Sequence, residues 1–144
     1  MERIVVGVDS SPGSAAALAW ALKLAAETGA ELEAVYAWEL SYAWIDGYAP
    51  DIERWSHETE VAARERLDAA IDGVLGGQPH YTEIRRTVVE GQPAKALLDR
   101  SKEADLLVVG SRGRGGFTGV LLGSVSQQCV HHSRVPVVVV PEPE

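Results

Sequence analysis

The fold is decided by one stretch of the chain, residues 106–126, which has the sequence LLVVGSRGRGGFTGVLLGSVS. It begins with an apolar run, 106–109, that is typical of a buried strand. It leads into residues 125–132, which can form a helix, and the segment between strand and helix is rich in glycine. Backbone N–H groups converge at such a junction, and glycine permits positive φ and lets an anion approach them closely. The stretch therefore predicts a phosphate-binding turn.

The local charge of this stretch favours the same interpretation. Arg112 and Arg114 lie inside it, and no Asp or Glu occurs from residue 106 to residue 141. The whole chain, by contrast, has a formal net charge of -8. A segment that lacks acid within an acidic protein is a favourable place for an anionic ligand.

The spacing of the glycines distinguishes between phosphate-binding motifs. The dinucleotide motif G-x-G-x-x-G fails, because counting from Gly113 its last position is Thr118. A P-loop fails because no Lys-Ser or Lys-Thr pair follows a glycine. The pattern that fits is G-x2-G-x9-G-S, formed by Gly110, Gly113, Gly123 and Ser124.

The rest of the chain alternates between strand and helix patterns. Strands are predicted at 3–8, 31–38, 82–89, 106–109 and 135–140, and helices at 14–28, 51–75, 93–101 and 125–132. Such alternation predicts an α/β fold with a mostly parallel sheet and helices on both faces. Ligands of these sheets bind beyond the carboxyl ends of the strands. This rule brings Asp9, Ala37 and Gly110 to one edge of the sheet.

Composition restricts the class of protein. A chain of 144 residues with 46% hydrophobic and 24% charged residues is typical of one soluble globular domain, spanning 1–144. No apolar run approaches the ~18 residues of a membrane span, and no signal peptide is evident. The single cysteine, Cys129, favours a reducing compartment, so we expect a cytoplasmic protein without membrane contact. The acidic balance argues against nucleic acid as a partner.

The glycine pattern and its flanks together resemble the ATP-binding branch of the universal stress protein family. The flanks are IVVGVDSS at 4–11, SVS at 124–126 and PVVVV at 136–140, so the likeness covers nearly the whole chain. The resemblance implies an open five-stranded parallel sheet with strand order 3-2-1-4-5. It also implies ATP as ligand, and a triphosphate usually brings Mg²⁺ or Mn²⁺ with it.

The resemblance also implies roles for individual residues. Gly110 and Gly113 are expected along the ribose and α-phosphate, and Ala37 against the adenine with Val8 beside it. Backbone N–H groups and hydroxyls at the start of the last helix are expected to bind the phosphates, and they belong to Gly123, Ser124, Val125 and Ser126. We add Arg112 because of its charge alone.

Asp9 has two compatible interpretations. The resemblance places its carboxylate near the ribose hydroxyls, and Asp before Ser-Ser-Pro-Gly is also a common helix N-cap.

Two other groups of residues leave alternatives open. Tyr42, Trp44 and Tyr48 suit either a lid or subunit contact, or a loop folded back onto the helices. Cys129, His131 and His132 suggest a metal, but no second ligand cluster accompanies them, and a structural zinc normally needs four ligands.

The last predicted strand begins at Val135 and ends at Val140 and is apolar on both faces. An exposed strand of this kind invites edge-to-edge association, and pairing it across a two-fold axis removes the edge. The resemblance also points to a homodimer through this strand.

The expected function is that of a nucleotide-dependent regulator or sensor in a stress response, with a downstream protein partner that the sequence does not identify. One alternative is a slow ATPase or nucleotidyl-transferring enzyme of the same fold, although no dedicated catalytic base is evident. The other is a dimeric scaffold that binds no nucleotide.

Overall fold

The computed structural model describes residues 1–39, 52–77, 83–112 and 122–143, with the backbone alone for residues 52–58. Strands and helices alternate along these residues, as predicted. In chain order they are β1 (Arg3–Val8), α1 (Pro12–Thr28), β2 (Glu31–Trp38), α2 (Ile52–Leu75), β3 (Ile84–Glu90), α3 (Pro93–Ser101), β4 (Leu106–Gly110), α4 (Ser124–His132) and β5 (Val137–Val140).

The strands form one sheet in the order β3-β2-β1-β4-β5, and each neighbouring pair is parallel. The predicted strand order is therefore confirmed. Helices α1 and α2 pack against one face of the sheet and α3 and α4 against the other, with a separate apolar core on each side. Because the strands run in one direction, the carboxyl ends of β1, β2 and β4 meet at the same edge.

The longest described helix, α2, is amphipathic, which agrees with its sequence pattern. Its apolar side lies on the sheet, with Ala63, Leu67 and Ile71 buried and Ala70 and Val74 partly buried. The opposite side of this helix carries exposed charged residues. Among the described helices, none is both long enough and apolar enough to cross a membrane.

Strand β5 is shorter at its start than the sequence predicts. The Ser133 hydroxyl donates to the carbonyl of Val135 at 2.8 Å and accepts from the amide of Val135 at 3.1 Å. Pro136 has no N–H, and its carbonyl accepts from Leu107 at 3.0 Å. The serine therefore satisfies the backbone of Val135 in a turn, and regular pairing begins at Val137.

Glu33 is a buried carboxylate that the hydrophobic pattern of β2 does not predict. Its side chain is fully buried, and both of its oxygens accept hydrogen bonds. Arg3 donates to one oxygen; Thr87 donates to the other at 2.7 Å, as does Arg100 through Nε at 3.0 Å. A buried charge is costly unless it is paired in this way, so the cluster ties β1, β2, β3 and α3 together.

Candidate functional site

A cavity of about 590 Å³ opens where β1, β2 and β4 end. We call it the cleft. Its volume lies within the range of roughly 300–1,000 Å³ that is usual for small-molecule sites. The described residues that line it include nine of the ten candidates from the sequence: Val8, Asp9, Ala37, Gly110, Arg112, Gly123, Ser124, Val125 and Ser126. The tenth, Gly113, lies outside the described residues.

One wall of the cleft comes from a segment that the sequence analysis did not assign to the site. Gln92, Pro93 and Leu97, at the start of α3, line it. Leu97 fills the space beside Gly7, where an added Cβ would lie 2.7 Å from Leu97 Cδ1. These residues belong to no motif. Their position directly after β3 could still have indicated a place at the site, because every strand-to-helix turn in a parallel sheet lies at the same edge.

The first turn of α4 presents backbone N–H groups that no side chain caps among the described residues. Gly123 is the N-cap, and no side-chain hydrogen bond closes this helix end. The Gly123 amide donates to Ser111 at 2.6 Å, and the Gln127 amide makes the first helical bond, to Gly123, at 3.0 Å. The amides between them belong to Ser124, Val125 and Ser126, and the N–H groups at these positions have no acceptor within the helix.

The two other helices that begin at the cleft are capped. Ser11 accepts from the Ser14 amide at 3.1 Å at the start of α1, and Gln92 accepts from the Lys95 amide at 2.9 Å at the start of α3. No acidic residue lies in the first turn of α1, α3 or α4. The positive ends of three helix dipoles therefore face the cleft, and an anion is favoured at the uncapped one, α4.

Ser126 differs from its expected role. Its side chain is buried, and its hydroxyl lies 2.9 Å from the carbonyl of Ser111 and 3.0 Å from that of Gly123. The hydroxyl therefore holds the end of β4 against the start of α4 and is not directed to a ligand. What remains available to an anion at this position is the backbone amide.

Gly110 and Gly123 are the motif glycines that the structure describes, and neither has a positive φ. Gly123 has φ -75° and ψ 175°, which any residue can adopt, so positive φ does not explain it. At Gly110, an added Cβ would lie 2.7 Å from the backbone C and O of Gly13. At Gly13, an added Cβ would lie 2.5 Å from the carbonyl oxygen of Arg112. Glycine at 13 and 110 is thus required by close packing of α1 against the end of β4.

Asp9 forms part of the turn between β1 and α1. Its Oδ1 accepts from the Ser11 amide at 2.9 Å, and its own amide donates to the Ser14 hydroxyl at 3.1 Å. The N-cap of α1 is Ser11, so the interpretation of Asp9 as N-cap was wrong. Ser10 adopts a left-handed φ of 69° in the same turn. These bonds hold the Asp9 carboxylate in the cleft wall.

Charge in the cleft is concentrated at two positions. Among the described lining residues, Asp9 and Arg112 carry a formal charge. Arg112 is about one third exposed, and its Nε lies 3.8 Å from Oε2 of Glu142. Glu142 is the first acidic residue after the acid-free stretch 106–141, and its carboxylate lies near Arg112.

The remaining sequence candidates do not form a site in the described part of the chain. Cys129 lies on the buried side of α4, and burial raises the pKa of its thiol to about 11, so it stays protonated at neutral pH. His131 and His132 lie in the last turn of α4, the end opposite the cleft, with ring centroids 6.4 Å apart. No group of three or more metal-binding side chains occurs among the described residues. Tyr42, Trp44 and Tyr48 lie outside them.

Comparison with known proteins agrees with this geometry. The sequence model of the Universal stress protein family matches residues 1–141. Universal stress protein Rv2005c of Mycobacterium tuberculosis is 42% identical over 139 residues, which is 94% of this chain and 44% of that protein. The universal stress protein of Mycolicibacterium smegmatis is 39% identical over 140 residues, 95% of this chain and 45% of that protein. The chain thus spans less than half the length of these relatives.

Solved structures share the fold. A universal stress protein crystallised in complex with cAMP has a TM-score of 0.62 and 29% identity, with 99% of this chain and 98% of that chain covered. UspA from Lactobacillus plantarum has a TM-score of 0.72 and 24% identity, with 96% and 97% covered. The match over residues 1–141 and the level of identity lead to one conclusion: the chain belongs to the universal stress protein family.

Proposed function

We propose that this protein binds an adenine nucleotide, ATP among them, in the cleft, and that it acts as a nucleotide-dependent regulator or sensor in a stress response. The observation that carries the proposal is the first turn of α4, which no described side chain caps and whose residues 124–126 line a cavity of about 590 Å³. An anion supplies the missing cap. The 29% identical relative that was crystallised with cAMP supports a phosphate-bearing adenosine as the ligand.

The two ends of the cleft suit the two ends of a nucleotide. Val35 and Leu97, which belong to the same apolar core, line the cleft together with Ala37, against which the adenine would lie. The phosphates would extend toward Ser124 and Arg112. Asp9 also lines the cleft, and its carboxylate could accept from the ribose hydroxyls.

A divalent metal has no ligand set of its own in the described residues, since no cluster of three metal-binding side chains occurs among them. Mg²⁺ or Mn²⁺ would therefore be carried by the phosphates of ATP. We propose a regulator in preference to an ATPase or nucleotidyl transferase because such an enzyme must position water and stabilise the transferring charge, and the sequence shows no dedicated catalytic base. Rapid ATP turnover that is lost on changing Arg112 or Asp9 would favour the enzyme instead.

Substitution of Ser124 tests the role of the α4 amides. Ser124→Pro removes the first amide of the helix, and proline is well tolerated at this position. The extended backbone of Gly123 suits a residue before proline. Since a hydrogen bond to a charged group contributes about 1.5–3 kcal/mol, we expect Ser124→Pro to weaken ATP binding about tenfold or more in a calorimetric titration.

Ser124→Ala is the matched control, because it removes the hydroxyl and keeps the amide. We expect it to weaken ATP binding less than Ser124→Pro does, while thermal unfolding shows that both variants are folded. Equal affinity of the proline and alanine variants would contradict the proposed role of the amide. Absence of any nucleotide binding by the unmodified protein would favour the non-binding scaffold.

We further propose that the protein forms a homodimer through β5 and works in the cytoplasm with a protein partner. Strand β5 is at an edge of the sheet, and all four of its valines are partly exposed. Pro136 and Val140 accept from β4, so alternation directs the backbone of Val139 toward the open edge.

The strand-edge contact predicts a difference between two substitutions at Val139. Val139→Pro removes an edge N–H and should shift the protein to a monomer of 15.4 kDa in sedimentation equilibrium. Val139→Thr keeps the N–H and should sediment as a dimer, like the unmodified protein. A monomeric unmodified protein at micromolar concentration would overturn this part of the proposal.

A further inference from the structure

We propose that Glu142, acting through Arg112, sets how strongly the cleft prefers a nucleoside triphosphate over a monophosphate. This inference rests on the proposed function and adds a specificity-determining residue to it. Arg112 is the positively charged residue among the described lining residues, and Glu142 is its carboxylate partner at 3.8 Å.

The position of Glu142 follows from the pairing of β5 with β4. The Ser111 amide donates to the Val140 carbonyl at 2.8 Å, which extends the pairing past Gly110. The next residues of both segments, Arg112 and Glu142, therefore emerge side by side at the carboxyl edge of the sheet. Proline on each side of Glu142, at 141 and 143, restricts the backbone to extended conformations and limits how far the carboxylate can move away.

The contact between Arg112 and Glu142 is weak enough for a bound phosphate to displace Glu142 from the arginine. The Arg112 and Glu142 side chains are 35% and 37% exposed, so the pair is solvated and weak. A phosphate bound at the first turn of α4 would compete with Glu142 for the same guanidinium. The cost falls on a ligand whose phosphates reach Arg112, so a triphosphate bears it and a shorter monophosphate bears less of it.

The pair therefore lowers the preference of the cleft for a triphosphate over a monophosphate. In Glu142→Gln the guanidinium is free for the ligand and a negative charge is removed from the cleft edge. We expect ATP to bind about two- to fivefold more tightly, from the usual strength of an exposed ion pair, and AMP to change less. The gain should shrink as salt is added, since screening weakens exposed charges.

A matched control comes from the opposite edge of the sheet. Glu103 is exposed and lies in the turn between α3 and β4, so Glu103→Gln alters the net charge equally without changing the cleft edge. Calorimetric titrations with ATP and with AMP, at two salt concentrations, compare the original protein with both variants. Arg112→Gln and the double variant Arg112→Gln/Glu142→Gln complete a double-mutant cycle.

The expected result is tighter ATP binding in Glu142→Gln alone, with a raised ATP-to-AMP affinity ratio and a much smaller effect of the same substitution in the Arg112→Gln background. If Glu142→Gln matches Glu103→Gln while the original protein binds ATP, the inference fails and the proposed function stands. A full effect in the Arg112→Gln background would show direct repulsion of the phosphates and would overturn the role of Arg112. If the original protein binds no nucleotide, both fail together.

Discussion

Gly110→Ala is expected to lower the free energy of unfolding by about 1–3 kcal/mol, the usual cost of overpacking, and to weaken nucleotide binding. The new methyl group would lie 2.7 Å from the backbone C and O of Gly13, and backbone atoms cannot move aside as the end of a flexible side chain can. The first turn of α1 must then shift away from β4, and the Asp9 and Arg112 walls of the cleft would shift with it. Denaturant unfolding and calorimetric titration measure the two effects.

Gly73→Ala is the control for this prediction. Gly73 lies on the exposed side of α2, and an added Cβ there meets nothing within 4 Å. Alanine is a better helix former than glycine, so this variant should gain about 0.5–1 kcal/mol. If Gly110→Ala is as stable as Gly73→Ala and binds ATP normally, the close packing of α1 and β4 does not explain the glycine.

Glu33→Gln is expected to lower the free energy of unfolding by about 2–3 kcal/mol. The substitution leaves Arg3 and Arg100 without the buried carboxylate that pairs with both. The two arginine side chains are 26% and 38% exposed, so water offsets part of the loss. Chemical denaturation at neutral pH measures the change.

Glu31→Gln is the matched control, because Glu31 lies two residues away on β2 and also pairs with an arginine. Its partner Arg85 is 3.1 Å away, and the two side chains are 54% and 38% exposed. An exposed pair contributes about 0–1 kcal/mol, so this variant should remain near the original stability. Equal effects of the two substitutions would contradict the stabilising role of the Glu33 cluster.

The same cluster predicts how stability depends on pH. Burial alone would raise the pKa of Glu33, but hydrogen bonds from Thr87, Arg3 and Arg100 outweigh it and hold the pKa below its usual value of 4.5. As the pH falls, the unfolded chain therefore takes up the proton first. The contribution of Glu33 is complete above 4.5 and is lost as the pH falls through the folded pKa. The free energy of unfolding of Glu33→Gln should therefore fall less than that of the original protein as the pH is lowered below 4.5.

The sequence predicts the elements whose pattern is local. The alternation of strands and helices and the bounds of β1 and β2 agree with the structure. These features depend on periodicity and on turn chemistry within a few residues. The strand order came from the likeness to a family, since hydrophobic patterning does not specify which strands are neighbours.

Features that depend on residues far apart in the chain could not be predicted. The partners of Glu33 lie on β1, β3 and α3, so nothing near Glu33 indicates that its charge is buried and paired. Gly110 was expected to lie along a ligand, and nothing near it in the chain indicates that it also packs against Gly13, nearly a hundred positions earlier. Glu142 meets Arg112 only because β5 pairs with β4.

The most direct test is a titration of the isotope-labelled protein with ATP, followed by the backbone amide signals in NMR. We expect the amide signals of Ser124, Val125 and Ser126 to move together and to saturate, because these groups bind the phosphates at the start of α4. If these three signals stay fixed while ATP is added to saturation, the α4 amides do not bind the phosphates.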